Sequence, residues 1–184
     1  MSPVIGLTIH QYNHANNSIT LSLLQNYGLF VHHGANPDGA IRAYTNAEAS
    51  AIATWVHNGG RFLYIGYNTN NNCDITDSLP APFGLTCIVN NNWSGTATTI
   101  NTHPITEGLV DIGGLGGDSI SVASPTEALI YNNNEIFVSA AEYGEGKIVI
   151  VANEIPFYNS GYTYNINYGD NAHMVENIWT WLIE

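Results

Sequence analysis

Short runs of consecutive apolar residues recur at 4–9, 29–31 and 61–66, and each gives way to a polar turn. Between them the spacing turns helical. Ile19, Leu23 and Leu24 form a stripe behind Asn16, Asn17 and Ser18, each of which can serve as an N-cap. Gly28 sits where a C′ glycine stops a helix. Ala49, Ile52, Ala53 and Val56 repeat at i, i+3, i+4 and i+7 behind the capping box Thr45-Asn46-Ala47-Glu48, and Asn58-Gly59-Gly60 closes that helix. The first 66 residues therefore predict strand, helix, strand, helix, strand. The strand runs lack in–out alternation, as strands buried on both faces do. This predicts an α/β fold: a mostly parallel sheet between helices, flavodoxin-like in layout.

The pattern weakens after Gly66, where an asparagine-rich loop begins. Residues 86–89 predict a short strand, and 90–134, rich in Gly, Thr and Asn, predict a β-rich insertion of short strands. Clarity returns with apolar runs at 137–143 and 147–152 around Gly144-Glu145-Gly146, which predict a tight hairpin. The segment 158–169 carries Tyr158, Tyr162, Tyr164 and Tyr168, and reads either as a binding loop or as a packed Ω-loop. From 171 to 183, Met174, Val175, Ile178 and Leu182 make a helix stripe, with Asp170 placed to cap it and complement its dipole. No linker or long repeat divides the chain, so residues 1–184 are expected to form a single domain.

Composition narrows the function classes. Lys and Arg number 3 against 15 Asp and Glu, for a net charge of −12, and no cation cluster for phosphate contacts exists. Nucleic acid is therefore excluded as an expected partner, and so are anionic membrane surfaces. No apolar run reaches the roughly 20 residues that span a bilayer. Only 10% of residues are charged, so solubility must come from Asn, Thr, Ser and Gly. That surface predicts an extracellular or cell-surface location. The N-terminus has no basic signal-peptide region, so a mature form or an excised domain is expected. Cys73 and Cys87 are the two cysteines. In an oxidising compartment they could close a disulfide worth about 3 kcal/mol, and the alternative is a buried thiol at Cys87. No cofactor motif and no metal-ligand spacing is present.

Three further segments carry a resemblance: His103-Pro104-Ile105-Thr106-Glu107-Gly108, then Tyr143-Gly144-Glu145-Gly146-Lys147-Ile148-Val149, then Asp170-Asn171 leading to Asn177-Ile178-Trp179-Thr180-Trp181-Leu182. Together with the αβ order they resemble the class I glutamine amidotransferase-like superfamily, and more narrowly an exported branch near the trehalose-utilisation-type proteins. The resemblance covers nearly the whole chain and implies that superfamily's fold. It also implies where a catalytic thiol would stand: on a G-x-C-x-G turn after the third strand, served by a His-Pro-Glu segment after a later one. The corresponding stretches here are Gly66-Tyr67-Asn68-Thr69-Asn70 and Asn153-Glu154-Ile155-Pro156. Cysteine and histidine are missing, so glutaminase chemistry is not expected.

What remains is the crevice at the carboxyl ends of the strands, where ligands of open α/β sheets bind. Candidate ligand-binding residues are Tyr67, Asn68, Trp93, Asn153, Tyr162, Tyr164 and Asp170, because amides pair with hydroxyls and aromatic rings stack on sugars. The leading expectation is a non-catalytic extracytoplasmic domain that binds a glycan or a surface protein. One alternative is a hydrolase or sugar-modifying enzyme using His10 or His33 with Glu154. Another is a purely structural module of a larger surface protein.

Overall fold

The computed structural model of the chain describes residues 8–12, 14, 16–33, 43–66 and 81–184, except the side chains of 87–94 and 115–119. The predicted first strand lies largely outside these residues. So do Tyr67, Asn68, Cys73 and the side chains of Cys87 and Trp93.

The described elements run α1 (Leu21–Leu24), β1 (Leu29–His33), α2 (Asn46–His57), β2 (Arg61–Ile65), β3 (Leu85–Thr96), β4 (Thr99–Ile100), β5 (Gly113–Val122), β6 (Glu127–Asn132), β7 (Glu135–Tyr143), β8 (Gly146–Val151) and α3 (Asn171–Ile183). Helix α2 starts as its sequence dictates. The Thr45 hydroxyl accepts from Glu48 N, and the Glu48 carboxylate reaches back to Thr45 N at 2.9 Å. Helix α1 departs from the prediction. Its cap is Thr20, whose hydroxyl accepts from Leu23 N at 3.2 Å, rather than Asn16, Asn17 or Ser18. It ends before Gly28, where the Asn26 amide donates to the carbonyls of Ser22 and Leu23 at 2.8 and 3.1 Å.

The described strands form one mixed sheet in the order β1-β2-β8-β7-β5-β3, with β6 also on β7 and β4 on β6. Only β1–β2 and β2–β8 pair in parallel, and every other described pair is antiparallel. The expectation of a mostly parallel sheet thus holds, among the described strands, only for β1, β2 and β8. The region read as an insertion contributes strands to this same sheet. Strand β3 runs far beyond the predicted 86–89, and its register against β5 shifts between Ile88 and Ser94, where the asparagine run falls. Asn has a poor strand propensity, and bulges absorb the misfit.

Two cores lie on the two faces of the sheet. Phe62, Ile148 and Ile150 face Ile52, Trp55 and Val56 of α2. Leu63, Ile65, Val149 and Val151 face Met174, Ile178, Trp181 and Leu182 of α3. This is why β2 and β8 read as unbroken apolar runs: successive residues enter different cores. Strands β7 and β8 turn tightly through Gly144 (φ +63°), and Glu145 N donates to His57 O at 2.9 Å, tying the hairpin to the end of α2.

Candidate functional site at the carboxyl edge of the sheet

Because β1, β2 and β8 are parallel and in register, His33, Ile65 and Val151 end side by side. Gly66 follows Ile65 so closely against β8 that its N–H donates to Val151 O at 2.8 Å, and a Cβ there would lie 2.2 Å from Ala152 O. Only glycine fits this passage. Gly66 therefore lies directly against Ala152. Asn153 is fully buried, and its side-chain oxygen accepts from Ile155 N at 3.1 Å. Glu154 is 1% exposed. Both candidates thus line the interior of this edge rather than its surface.

The two adjacent histidines of β1 part company, as alternation requires. His33 is exposed. His32 turns toward the α2 face, where its Nδ1 and the Tyr44 hydroxyl are 2.6 Å apart and its ring stacks on Tyr64 at 4.9 Å. Tyr44 in turn stacks on His14 at 4.3 Å, and His14 Nε2 stands 3.3 Å from a carboxylate oxygen of Glu48. That buried carboxylate also accepts from Ile19 N, Thr45 N and the Thr45 hydroxyl, each at 2.9 Å. Burial pushes the His32 pKa down to about 3, helped by His14 and His33, so the ring is neutral at ordinary pH. His10 is exposed and lies elsewhere, edge-on to Tyr27, which leads into the amino end of β1.

Sequence reasoning missed this row of His14, Tyr44, His32 and Tyr64. One signal was available: Phe30 and His32 share a face, so His32 had to point where Phe30 packs.

The tyrosine segment is a self-bonded loop. Ile166 N donates to Tyr158 O at 2.8 Å, the Asn165 amide to Tyr162 O at 2.7 Å, and the Asn167 amide to Asn159 O at 3.3 Å. Tyr164 and Tyr168 meet edge-to-face and press on Gly113, where a Cβ would come within 2.3 Å of Tyr164. Tyr164 is therefore a packing residue. Tyr162 is 40% exposed and stacks on Tyr158 at 5.5 Å. Asp170 occupies the N-cap position of α3 but makes no side-chain cap bond to the helix. Its carboxylate instead accepts from Val110 N and Asp111 N at 2.8 and 2.9 Å, and these bonds hold its pKa below the usual carboxylate range. Partial desolvation, and after it the Asp111 carboxylate, hold the Tyr168 phenol above its ordinary value.

The segments that carried the resemblance are structural here. His103 Nδ1 accepts from Ile105 N at 3.1 Å, capping a short turn, and the His103 ring edge packs on Trp181 at 5.0 Å. Burial lowers the pKa of that imidazole against the opposing pull of Glu127 and Glu142, and Lys147 adds a little to the lowering. Asn177 donates to Ile105 O and Glu107 O at 3.2 and 3.0 Å. Asn171, fully buried, donates to the carbonyls of Gly113, Tyr164 and Asn165 and accepts from Gly113 N.

No protein-family model and no curated protein matches the chain. Solved structures do. The mmIFT52 N-terminal domain superposes with a TM-score of 0.73 at 15% identity, covering 91% of this chain and 82% of that one. The cytoplasmic protein STM1381 from Salmonella typhimurium LT2 gives 0.66 at 17% identity, over 91% and 76%. A ThuA-like protein from Bacteroides uniformis ATCC 8492 gives 0.57 at 14% identity, over 94% and 75%. The chain shares the ThuA-like fold. At these identities the likeness speaks for fold alone, and it agrees with the amidotransferase-like architecture that the motifs imply. Among the described residues no group of three or more His, Cys, Asp or Glu could hold a metal ion, and no helix is long and apolar enough to cross a membrane.

Proposed function

We propose that this chain is a non-catalytic domain of an extracytoplasmic or cell-surface protein. It uses an amidotransferase-like scaffold to bind a glycan or a protein partner at the carboxyl edge of the sheet and the adjoining tyrosine loop. The observation that carries the reading is the burial of Glu154, at 1% exposure. An acid or base must reach its substrate, and this carboxyl is turned into the protein. The candidate imidazole His33 faces solvent on β1, two strands away from β8, with backbones about 10 Å apart by ordinary strand spacing. The absence of a cysteine from Gly66-Tyr67-Asn68-Thr69-Asn70 supports the same reading, because a nucleophile needs a place at that turn. The surface location rests on composition: 3 Lys and Arg in 184 residues, with solubility supplied by amides and hydroxyls.

The test is a hydrolase and glutaminase screen of the full chain alongside Glu154→Gln. The expected result is no turnover by either protein. Turnover that disappears in Glu154→Gln would replace this reading with the enzymatic one.

A further inference from the structure

We propose that Tyr162 is the stacking platform of a subsite for an uncharged sugar residue, which narrows the binding reading above, and rests on it, to neutral glycans. Three observations meet at this ring. The first is exposure with support. Tyr162 is 40% exposed, and Tyr158 lies beneath it at 5.5 Å with ring planes 19° apart. The ring is thus backed by a second aromatic while a large part of the residue stays accessible. The flat C–H face of a pyranose stacks on such a ring.

The second observation is preorganisation. The backbone carrying Tyr162 is fixed by the bonds from Asn165, Ile166 and Asn167 described above. Asn171, itself buried, clamps the loop from below through the carbonyls of Tyr164 and Asn165 at 2.9 and 3.0 Å. A ligand meeting this loop pays little ordering entropy, and weak ligands such as sugars depend on that saving.

The third observation is charge. From residue 155 to 169 there is no Asp, Glu, Lys or Arg, in a chain of net charge −12. The exposed neighbours Asn159, Ser160 and Thr163 offer amide and hydroxyl groups. Among the described residues the Lys and Arg side chains, Arg61 and Lys147, sit at the amino ends of β2 and β8. Both are committed there to backbone carbonyls, of Gly59 and Glu145 and of Trp181 respectively. No described Lys or Arg is left near the loop to pair with a carboxylate or sulfate, and the overall field repels anions. A protein partner fits less well. One ring inside a polar rim is not the apolar centre of an interface, which needs on the order of 1,000 Å² with a desolvated core.

The experiment is an amide-resolved NMR titration of the full chain. The probes are neutral oligosaccharides of glucose, mannose, galactose and xylose, with an oligogalacturonate as the anionic control. Tyr162→Ala and Tyr162→Phe are titrated in parallel. Tyr162 is a surface residue, so both variants should fold, and unchanged spectra away from the loop check this. At least one neutral oligosaccharide should shift the amides of 158–167 saturably. Its affinity should fall about tenfold or more in Tyr162→Ala, stay within about threefold in Tyr162→Phe, and not change in high salt.

Equal or tighter binding of the oligogalacturonate would overturn the proposal. So would failure of every neutral oligosaccharide to bind. Saturable shifts centred on Gly66 and Asn153 that ignore Tyr162→Ala would overturn the subsite while leaving the wider binding reading intact. That wider reading falls separately, to the turnover screen.

Discussion

Acid should weaken this fold through His32. The ring is walled in by Tyr44 and Tyr64, and its pKa falls to about 3 in the folded chain against 6.5 for the unfolded one. The sign follows from which state takes up the proton. Below pH 6.5 the unfolded chain protonates this residue and the folded chain does not, so stability drops as pH falls, until both forms are protonated below about pH 3. With these two values, linkage gives a loss of about 2 kcal/mol at pH 5, rising toward about 4 kcal/mol near pH 3.5. For a chain of this size the first figure is a drop in Tm of roughly 4–8 °C. Urea denaturation at pH 7.5 and pH 5 measures it directly. His32→Phe, which keeps an aromatic ring between the tyrosines but cannot titrate, should lose about 2 kcal/mol less across that interval. It should also begin about 1 kcal/mol lower at pH 7.5, because the Tyr44 hydroxyl loses its partner. Carboxylates such as Asp170 also cost stability in acid, but equally in both proteins, so they cancel in the comparison. The His32 ring resonances should keep their neutral positions down to about pH 4. An identical pH dependence in His32→Phe, or a ring that titrates near its ordinary value, would refute the reasoning.

Three other outcomes follow from the packing. Glu48→Ala, which strands the donors at Ile19, Thr45 and His14, should cost about 2–3 kcal/mol in urea denaturation; a loss below half a kcal/mol would mean that the buried carboxylate organises nothing. Asn171→Ala should cost about 2–4 kcal/mol and speed amide exchange selectively in 113 and 158–169, since one side chain holds both segments; uniform exchange would show that the loop is held from elsewhere. Gly66→Ala should cost about 3 kcal/mol or more, because its Cβ would lie 2.2 Å from Ala152 O, and a thermal melt within two degrees of the parent would contradict that contact.

The chain announces some of this fold more plainly than the rest. Helices α2 and α3 follow apolar periods that any reader of the sequence can find, because each buries one face, and strands β2, β7 and β8 stand out as continuous apolar runs, because they are buried on both. Strands β3 and β5 do not. Their segments 90–96 and 113–118 are rich in Asn and Gly, and they are strands because they pair with each other across a bulged ladder, a property of the pair that neither segment carries alone. The same distinction governs the candidate site. Asn153 and Glu154 could be placed at the strand ends by counting from the β8 run, but their burial could not. Tyr44 and His32 are separated by 12 positions, and Glu48 reaches His14 from another element, so the aromatic row exists only after β1 and α2 have packed. Asn171 looked like an ordinary first-turn residue of a helix, yet it fastens that helix to β5 and to the tyrosine loop.

The motif residues act in packing and capping, so a likeness carried by them speaks for the fold. Of the described side chains that carried the resemblance, His103 and Thr106 cap their own short turn, and several others tie α3 to its neighbours. Asp170 holds Val110 and Asp111, Asn171 holds Gly113 and the loop, Asn177 holds the turn after His103, and Lys147 reaches Trp181 O at 2.8 Å with its ammonium 4.9 Å from that ring. These contacts hold α3 over its apolar core, so losing any one would expose backbone groups beside a buried helix. A motif match confined to packing and capping residues is therefore evidence about architecture, and activity has to be argued from the strand ends, where Glu154 is turned inward.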